Sequence, residues 1–403
     1  MGDFHQAEVI STLHRLKKDN VEKLEEELRE DSEFRPIALV LPSLYSELQG
    51  PALKNIVEEL KNIDYLSEIV VSLGNANADE FKHAREFFSV LPQRLKIVWI
   101  DGEAIRSLFN LLQRNGLYTG EAGKGKAAWI AYGYVLAEES SEVIVLHDCD
   151  ILTYSRELLA RLCYPVANSN LDFEFCKGYY SRVTDRMYGR VTRLFITPII
   201  RALKKILGHL PFLVYLDSFR YPLAGEFSMK ADLARVNRIP SDWGLEVGVL
   251  AEVFRNVSPR RICQVDLCDT YEHKHQSLST DDPQGGLLKM CIDISKSLFR
   301  TLAAEGVVFS EGFFNTLVVT YLRTAQDTIK VYSDDAAINS LYFDRHEEAV
   351  AVETFVKGIR IASKSFFEDP LGAPLIPNWN RVTSAIPDFL DQLKQVVDED
   401  NAR

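Results

Sequence analysis

The stretch EVIVLHDCDILT, Glu142–Thr153, decides how this chain is read. Val143–Leu146 form a short, continuous apolar run of the kind that lies buried on both faces of a sheet. The run stops at His147, Asp148, Cys149 and Asp150. Alternation along an extended chain turns Asp148 and Asp150 the same way, so two carboxylates share one small space. Their repulsion is costly unless water or a cation relieves it. The stretch is therefore either a solvated loop end or one wall of a metal site, and its position in the chain decides between them.

Three comparable runs precede it. RPIALVLPSLYSE (35–47) gives a short strand ending at Pro42, LSEIVVSLGNANAD (66–79) a second ending in Gly and Asn, and LKIVWIDG (95–102) a third. Helical patterns lie between them: ALKNIVEELKNI (52–63), residues 79–93, and GKGKAAWIAYGYVLAEES (123–140), whose start is marked by glycines. This β-α-β-α-β-α-β order, with near-continuous apolar strands, predicts a mostly parallel sheet covered by helices on both faces. Ligands of such sheets bind at the carboxyl ends of the strands. Pro42–Glu47, Ser72–Asn75 and His147–Asp150 all fall there, which favours a binding role for the two aspartates.

Around this core, residues 5–33 are charge-rich with helical spacing at Val21, Leu24 and Leu28, predicting a solvated N-terminal helix. Residues 172–280 are mixed, with strand-like runs at DFEFCKGYYSR and ICQVDLCDTYEHKHQ. Beyond the polar link SLSTDDPQGG the chain is mainly helical. At 403 residues and a net charge of −12, the chain has length for a large core and lacks the basic character of a nucleic-acid binder. Six cysteines without a CxxC pair predict reduced thiols and a cytoplasmic protein. The first twenty residues lack the apolar core of a secretory signal, and no run is long enough for stable membrane insertion. The greasiest segment, 194–216, is broken by Arg201, Lys204, Lys205 and two prolines; it is expected to face a partner subunit in a homodimer.

Five motifs carry chemistry. Asp148-Cys149-Asp150 has the D-x-D form that holds Mg2+ or Mn2+ against a nucleotide diphosphate. His273 and His275, in YEHKHQ, are either a solvated pair or supply one ligand to the same cation. Gly123-Lys124-Gly125-Lys126 opens a helix and suits a diphosphate, or is a solvated turn; it is not a P-loop. Gly189-Arg190-Val191-Thr192 can hold a phosphate or carboxylate, or simply start a helix. Glu226, in PLAGEFSMK, and Glu246, in SDWGLEVGVL, are carboxylates in apolar surroundings, where they need partners such as backbone, arginine or sugar hydroxyls.

Taken in order, P-x-L-x-x-E after the first strand, GKG, D-x-D, GRVT, AGEF, W-G-x-E-x-G and H-x-H resemble the glucosyl-3-phosphoglycerate synthase family. These are retaining glycosyltransferases of the GT-A fold, with mannosyl-3-phosphoglycerate synthases as relatives, and the similarity runs over about residues 36–310. The resemblance implies an α/β GT-A fold (Rossmann-like, mostly parallel) with a helical C-terminal extension. It implies an N-terminal helical segment (1–33), a nucleotide-sugar-binding half (34–170), an acceptor-binding half (171–285) and a helical region (286–403). The implied reaction moves glucose from UDP-glucose to the 2-hydroxyl of 3-phosphoglycerate with Mg2+ or Mn2+, for compatible-solute or polysaccharide-precursor synthesis. The partners are then a nucleotide sugar and a small phosphorylated hydroxy acid, with no nucleic acid.

Carried over residue by residue, Pro42, Leu44, Glu47 and Ser72 would line the nucleoside, and Lys124 would meet the diphosphate. Asp150 and His273 would hold the metal, and Asp148 the ribose or sugar. Leu223 and Glu246 would grip the donor sugar. Gly189, Arg190 and Thr192 would take the acceptor's phosphate, with His275 on the acceptor side. Glu246, Asp150 and Lys124 are then the catalytic candidates. Departures fall on the base and acceptor sides: PSLYSE replaces P-A-L-N-E-E, SLGN replaces D-S-G-S, Cys149 stands for Ser, WGLE for YGVE, and His275 for Asn. GDP-mannose transfer to 3-phosphoglycerate or glycerate is the alternative reaction. A nucleotide-sugar-binding protein without turnover, or a nucleotidyltransferase, is the alternative class.

Overall fold

The computed structural model describes residues 6, 9–273 and 278–402. The strands are β1 (Ser11–Leu13), β2 (Ile37–Leu44), β3 (Leu66–Gly74), β4 (Arg94–Trp99), β5 (Val143–Leu146), β6 (Phe175–Tyr179), β7 (Phe227–Lys230) and β8 (Ile262–Asp266). They form one sheet in the order β1-β8-β6-β7-β5-β2-β3-β4. Every pairing is parallel except those of β7 with β5 and β6.

The helices of the first half are α1 (Val21–Ser32), α2 (Pro51–Leu60), α3 (Ala78–Phe88), α4 (Glu103–Arg114), α5 (Lys124–Glu138) and α6 (Arg156–Ala167). Next come α7 (Thr197–Leu207), α8 (Pro211–Ser218), α9 (Ala231–Val236) and α10 (Leu245–Asn256). A C-terminal group follows: α11 (Gly286–Ala304), α12 (Glu311–Ile338), α13 (Arg345–Glu368), α14 (Trp379–Ala385) and α15 (Phe389–Ala402).

Strand alternation divides the core between the two faces of the sheet. Ile37, Leu39, Leu41, Val143 and Val145 pack with Leu28 of α1, Leu53 and Ile56 of α2, and Leu158 and Leu162 of α6. Ala38, Val40, Ile144 and Leu146 face the other way, toward Trp129 and Tyr134 of α5 and the C-terminal helices. Strands buried on both faces explain why the runs read as continuously apolar.

Three expectations are corrected in detail. The N-terminal helix occupies only Val21–Ser32, because Ser11–Leu13 adds to the sheet edge as β1, parallel to β8. Gln264 Nε2 donates to Thr12 Oγ1 at 2.9 Å across that pairing. Such a contact joins residues far apart in sequence and leaves no local periodicity to read. β2 runs past Pro42 to Leu44, since beyond Val40 it has β3 alone as partner, where a missing N–H is tolerated. The segment 194–216, expected to face a partner subunit, buries most of its apolar residues inside this chain and leaves Ile206, Leu207 and Leu210 partly exposed. Leu194, Phe195, Ile196, Ile199, Ile200 and Leu203 are buried, and Tyr321 of α12 donates to the Leu194 carbonyl at 2.7 Å.

The C-terminal helices close the sheet. Trp379 of α14 stacks on Trp129 with centroids 4.1 Å apart. Asn401 of α15 pairs both ways with Ile97 of the edge strand β4, accepting at 3.0 Å and donating at 2.8 Å, which blunts that edge. No helix among the described residues is long and apolar enough to cross a membrane.

Candidate active site

The site lies where β5 ends. Asp148 and Asp150 follow Leu146, and His273 arrives from the segment beyond β8; their ligand atoms all lie within 4.8 Å of one another. His273 Nδ1 is 3.9 Å from Asp150 Oδ1. Residues far apart in sequence thus offer two carboxylates and an imidazole to one point. Asp150 Oδ1 is buried and, among the described residues, accepts no hydrogen bond. Burial, then the neighbouring Asp148 charge, push the Asp150 carboxyl up to about 7. A buried acceptor with no donor, held against a second carboxylate, is the donor set a divalent cation satisfies.

Lys124 stands at the first position of α5 and reaches across the site. Its ammonium is 2.5 Å from Asp148 Oδ1 and 3.4 Å from Glu246 Oε1, in the first turn of α10. Burial works against its charge, but Asp148 and Glu246 outweigh it and hold the ammonium firmly protonated. Asp148 shows the converse: burial opposes its charge, and Lys124 still draws its carboxyl below the usual range. The chain comes close enough that a Cβ on Gly225 would collide with Asp148 Oδ2 and sit 2.7 Å from Lys124 Nζ, so a side chain there would displace the Asp148–Lys124 pair. At Gly125 the start of α5 presses on the Pro240 carbonyl, where a Cβ would collide with backbone.

The other candidates divide into groups. Pro42 and Leu44 pair with Ser72 and Gly74 at the carboxyl ends of β2 and β3. Ser72 Oγ is buried without a hydrogen-bond partner among the described residues, and the charge of Glu47, in the turn after β2, acts on Asp150. Leu223 lies in the loop before β7, partly buried against the core. Gly189 has φ 74°, a left-handed turn that places Arg190 and Thr192 at the entry to a π-helical turn, Val191–Ile196, leading into α7. Arg190 is engaged: Nε donates to Glu348 at 2.7 Å and Nη2 to Glu347 at 2.7 Å, both from α13. Thr192 Oγ1 is buried and has no hydrogen-bond partner among the described residues. His275 lies outside the described residues.

His147 and Cys149 are buried in the turn, consistent with a packing role. His147 donates from Nδ1 to the Asp148 carbonyl at 2.9 Å, and burial lowers its pKa to about 4, so it is neutral. All six cysteines are free.

Sequence reading passed over three features. Tyr180 and Tyr271 both bond Glu226; only the placement of Tyr271 two residues before His273 hinted at it. Lys177 of β6 is fully buried with no hydrogen-bond partner among the described residues, and burial lowers it to about 8. A lone lysine in a strand run gave no signal. Glu347 and Glu348 lie more than 150 positions from Arg190, beyond any local pattern.

No family model matches the sequence. Over 402 residues, all of both chains, it is 50% identical to the glucosyl-3-phosphoglycerate synthase of Persephonella marina. It is 40% identical to that of Methanococcoides burtonii over 396 residues, 97% of this chain and 96% of the relative. Among solved structures it resembles glucosyl-3-phosphoglycerate synthase from Mycobacterium tuberculosis in complex with Mn2+, UDP-glucose and phosphoglyceric acid. There the TM-score is 0.52 at 20% identity, covering 75% of this chain and 89% of the other. Mannosyl-3-phosphoglycerate synthase from Rubrobacter xylanophilus gives a TM-score of 0.54 at 20% identity, covering 74% and 83%. The architecture is the GT-A fold of these glycosyltransferases.

Proposed function

Because this chain belongs to the glucosyl-3-phosphoglycerate synthase family, and is therefore a glycosyltransferase, we propose that it transfers glucose from UDP-glucose to the 2-hydroxyl of 3-phosphoglycerate, with a divalent cation and with retention. One observation carries the reading: Asp148, Asp150 and His273 converge on one point at the carboxyl edge of the sheet, beside Lys124 and the start of α5.

Asp150 and His273 are the residues that would hold Mg2+ or Mn2+, which when bound neutralises charge developing on the departing diphosphate. Lys124 shares that task from the opposite side. A permanently protonated ammonium at a helix N-terminus is a preorganised partner for phosphate oxygens, and such electrostatic stabilisation is the main source of rate enhancement expected here. In the free site Asp148 and Glu246 hold Lys124 in place; with donor present they turn to its hydroxyls as Lys124 turns to phosphate. Pro42, Leu44, Glu47 and Ser72 form the nucleoside side, and Leu223 flanks the sugar. Gly189, Arg190 and Thr192 receive the acceptor's phosphate; the unpartnered Thr192 Oγ1 supports that assignment.

Retention follows from attack on the donor face that the leaving diphosphate occupies, its oxygen taking the acceptor's proton. Glu246 is the carboxylate that would serve a double displacement instead. The test is a donor-by-acceptor matrix: UDP-glucose and GDP-mannose against 3-phosphoglycerate and glycerate, with and without EDTA, scored for nucleotide release and anomeric configuration. UDP release confined to UDP-glucose with 3-phosphoglycerate, abolished by EDTA, is expected. Turnover unaffected by EDTA overturns the metal assignment, and a trapped glucosyl–Glu246 adduct overturns front-face attack.

A further inference from the structure

Glu226 has no role in the reaction as derived, yet it lies at the heart of the site. It is fully buried, and the glycine before it touches Asp148 and Lys124. A third carboxylate beside Asp148 and Asp150 adds repulsion and a desolvation cost, where an apolar residue would fill the space without either. Its partners show what offsets that cost. Tyr180 Oη donates to one carboxylate oxygen at 2.9 Å, and Tyr271 Oη donates to the other at 2.5 Å. The two rings stack face to face, centroids 3.7 Å apart and 4° from parallel. The backbone is pinned too: the Glu226 carbonyl accepts from Gly178 N at 2.9 Å, and Tyr271 N donates to Ser181 O at 2.9 Å.

Tyr271 is two residues from His273, and the His273 ring stands edge-on to it at 5.4 Å. His273 is the one member of the cation cluster not delivered by the β5 turn. It comes from the irregular segment after β8, which has no ladder to fix it. Two backbone ties fasten that segment to the turn: Leu152 N to Glu272 O at 2.8 Å, and Glu272 N to Thr153 Oγ1 at 3.1 Å. The Glu226–Tyr271 bond is the side-chain tie on its other side.

We infer that Glu226 is a positioning residue for the cation centre. By clamping the stacked Tyr180–Tyr271 pair, it fixes the segment that presents His273 to the Asp148–Asp150 turn. The inference rests on the reading of His273 as a metal ligand. Without the clamp, the imidazole must be ordered when the cation binds, and that cost is taken from affinity; outer partners of metal ligands are typically worth about 10- to 100-fold in binding.

The test is Mn2+ binding to the full chain by titration calorimetry, comparing the unmodified protein with Tyr271→Phe, Glu226→Gln and His273→Asn. Tyr271→Phe keeps the ring and the stack and removes only the hydroxyl. It is expected to weaken Mn2+ about tenfold, with the metal-free melting temperature close to the parent's. The Mn2+ concentration for half-maximal turnover should rise by the same factor, while kcat at saturating Mn2+ returns to within about twofold of the parent. Glu226→Gln, which still accepts one phenol, should fall between the parent and Tyr271→Phe. If His273→Asn loses Mn2+ affinity but Tyr271→Phe does not, the clamp is refuted and the metal reading stands. If His273→Asn binds Mn2+ as the parent does, the metal reading fails and takes the clamp with it.

Discussion

At the scale of single residues, the site is a balance of charges that cannot be altered one at a time. Lys124 neutralises Asp148 and steadies Glu246, so Lys124→Met removes the ammonium and leaves two carboxylates unpaired. Turnover is expected to fall about 100- to 1,000-fold, the usual cost of a preorganised electrostatic partner, with UDP binding weakened in parallel; steady-state kinetics and calorimetry read both. Lys177 makes a separate prediction through pH. Its ammonium is depressed to about 8 in the fold against 10.5 as the ordinary value. Between those values the unfolded chain binds the proton and the folded chain does not, so this group adds stability as pH rises from 8 toward 10.5. Fully present below about 8, the penalty is on the order of 3 kcal/mol. Urea unfolding at about pH 7.5 and about pH 9.5 should show the parent gaining on Lys177→Met; a constant difference between them would refute the linkage.

At the scale of elements, the proposed acceptor side is held by α13. Glu348 is buried and bridges Arg190 and Arg193, whose Nη1 lies 2.9 Å from it, so it anchors the Gly189–Ile196 segment. Glu347 is half exposed and occupies only Arg190 Nη2, where an incoming phosphate would compete with it. Glu347→Gln should therefore lower KM for 3-phosphoglycerate by about two- to fivefold, the range of an exposed ion pair, leaving KM for UDP-glucose unchanged. Glu348→Gln breaks a buried pair and should destabilise the fold by about 3 kcal/mol, read as a fall in the urea midpoint.

At the scale of the whole molecule, the helices after residue 285 complete the domain that carries the site. They cover α5 through the Trp129–Trp379 stack, tie Lys96 to Asp398 at 2.5 Å, and finish the β4 edge through Asn401. Since α5 carries Lys124 at its first position, loosening this cover should reach the proposed donor site. Trp379→Ala should cost about 3–5 kcal/mol of stability and raise KM for UDP-glucose, measured by denaturant unfolding and initial rates. Unchanged donor KM in a variant so destabilised would show that α5 holds its place without the C-terminal cover.

Much of this was legible along the chain. The apolar strands β2 to β5 and the helices between them follow from local periodicity, and parallel pairing follows from their order. The Asp148–Asp150 turn, Lys124 at a helix start, the buried Glu226 and the half-buried Glu246 were all visible as residue types out of keeping with their surroundings. What the sequence left open were pairings made across long stretches of chain: β1 on β8, Tyr271 on Glu226, Glu347 and Glu348 on Arg190; His273 beside Asp150 was expected only through the family resemblance. Periodicity records how a residue sits relative to its near neighbours. It carries no information on which distant segment will supply a missing charge or donor. The sequence therefore determined the sheet, its binding edge and the kind of chemistry held there, while tertiary packing alone decided which partners satisfy each buried charge.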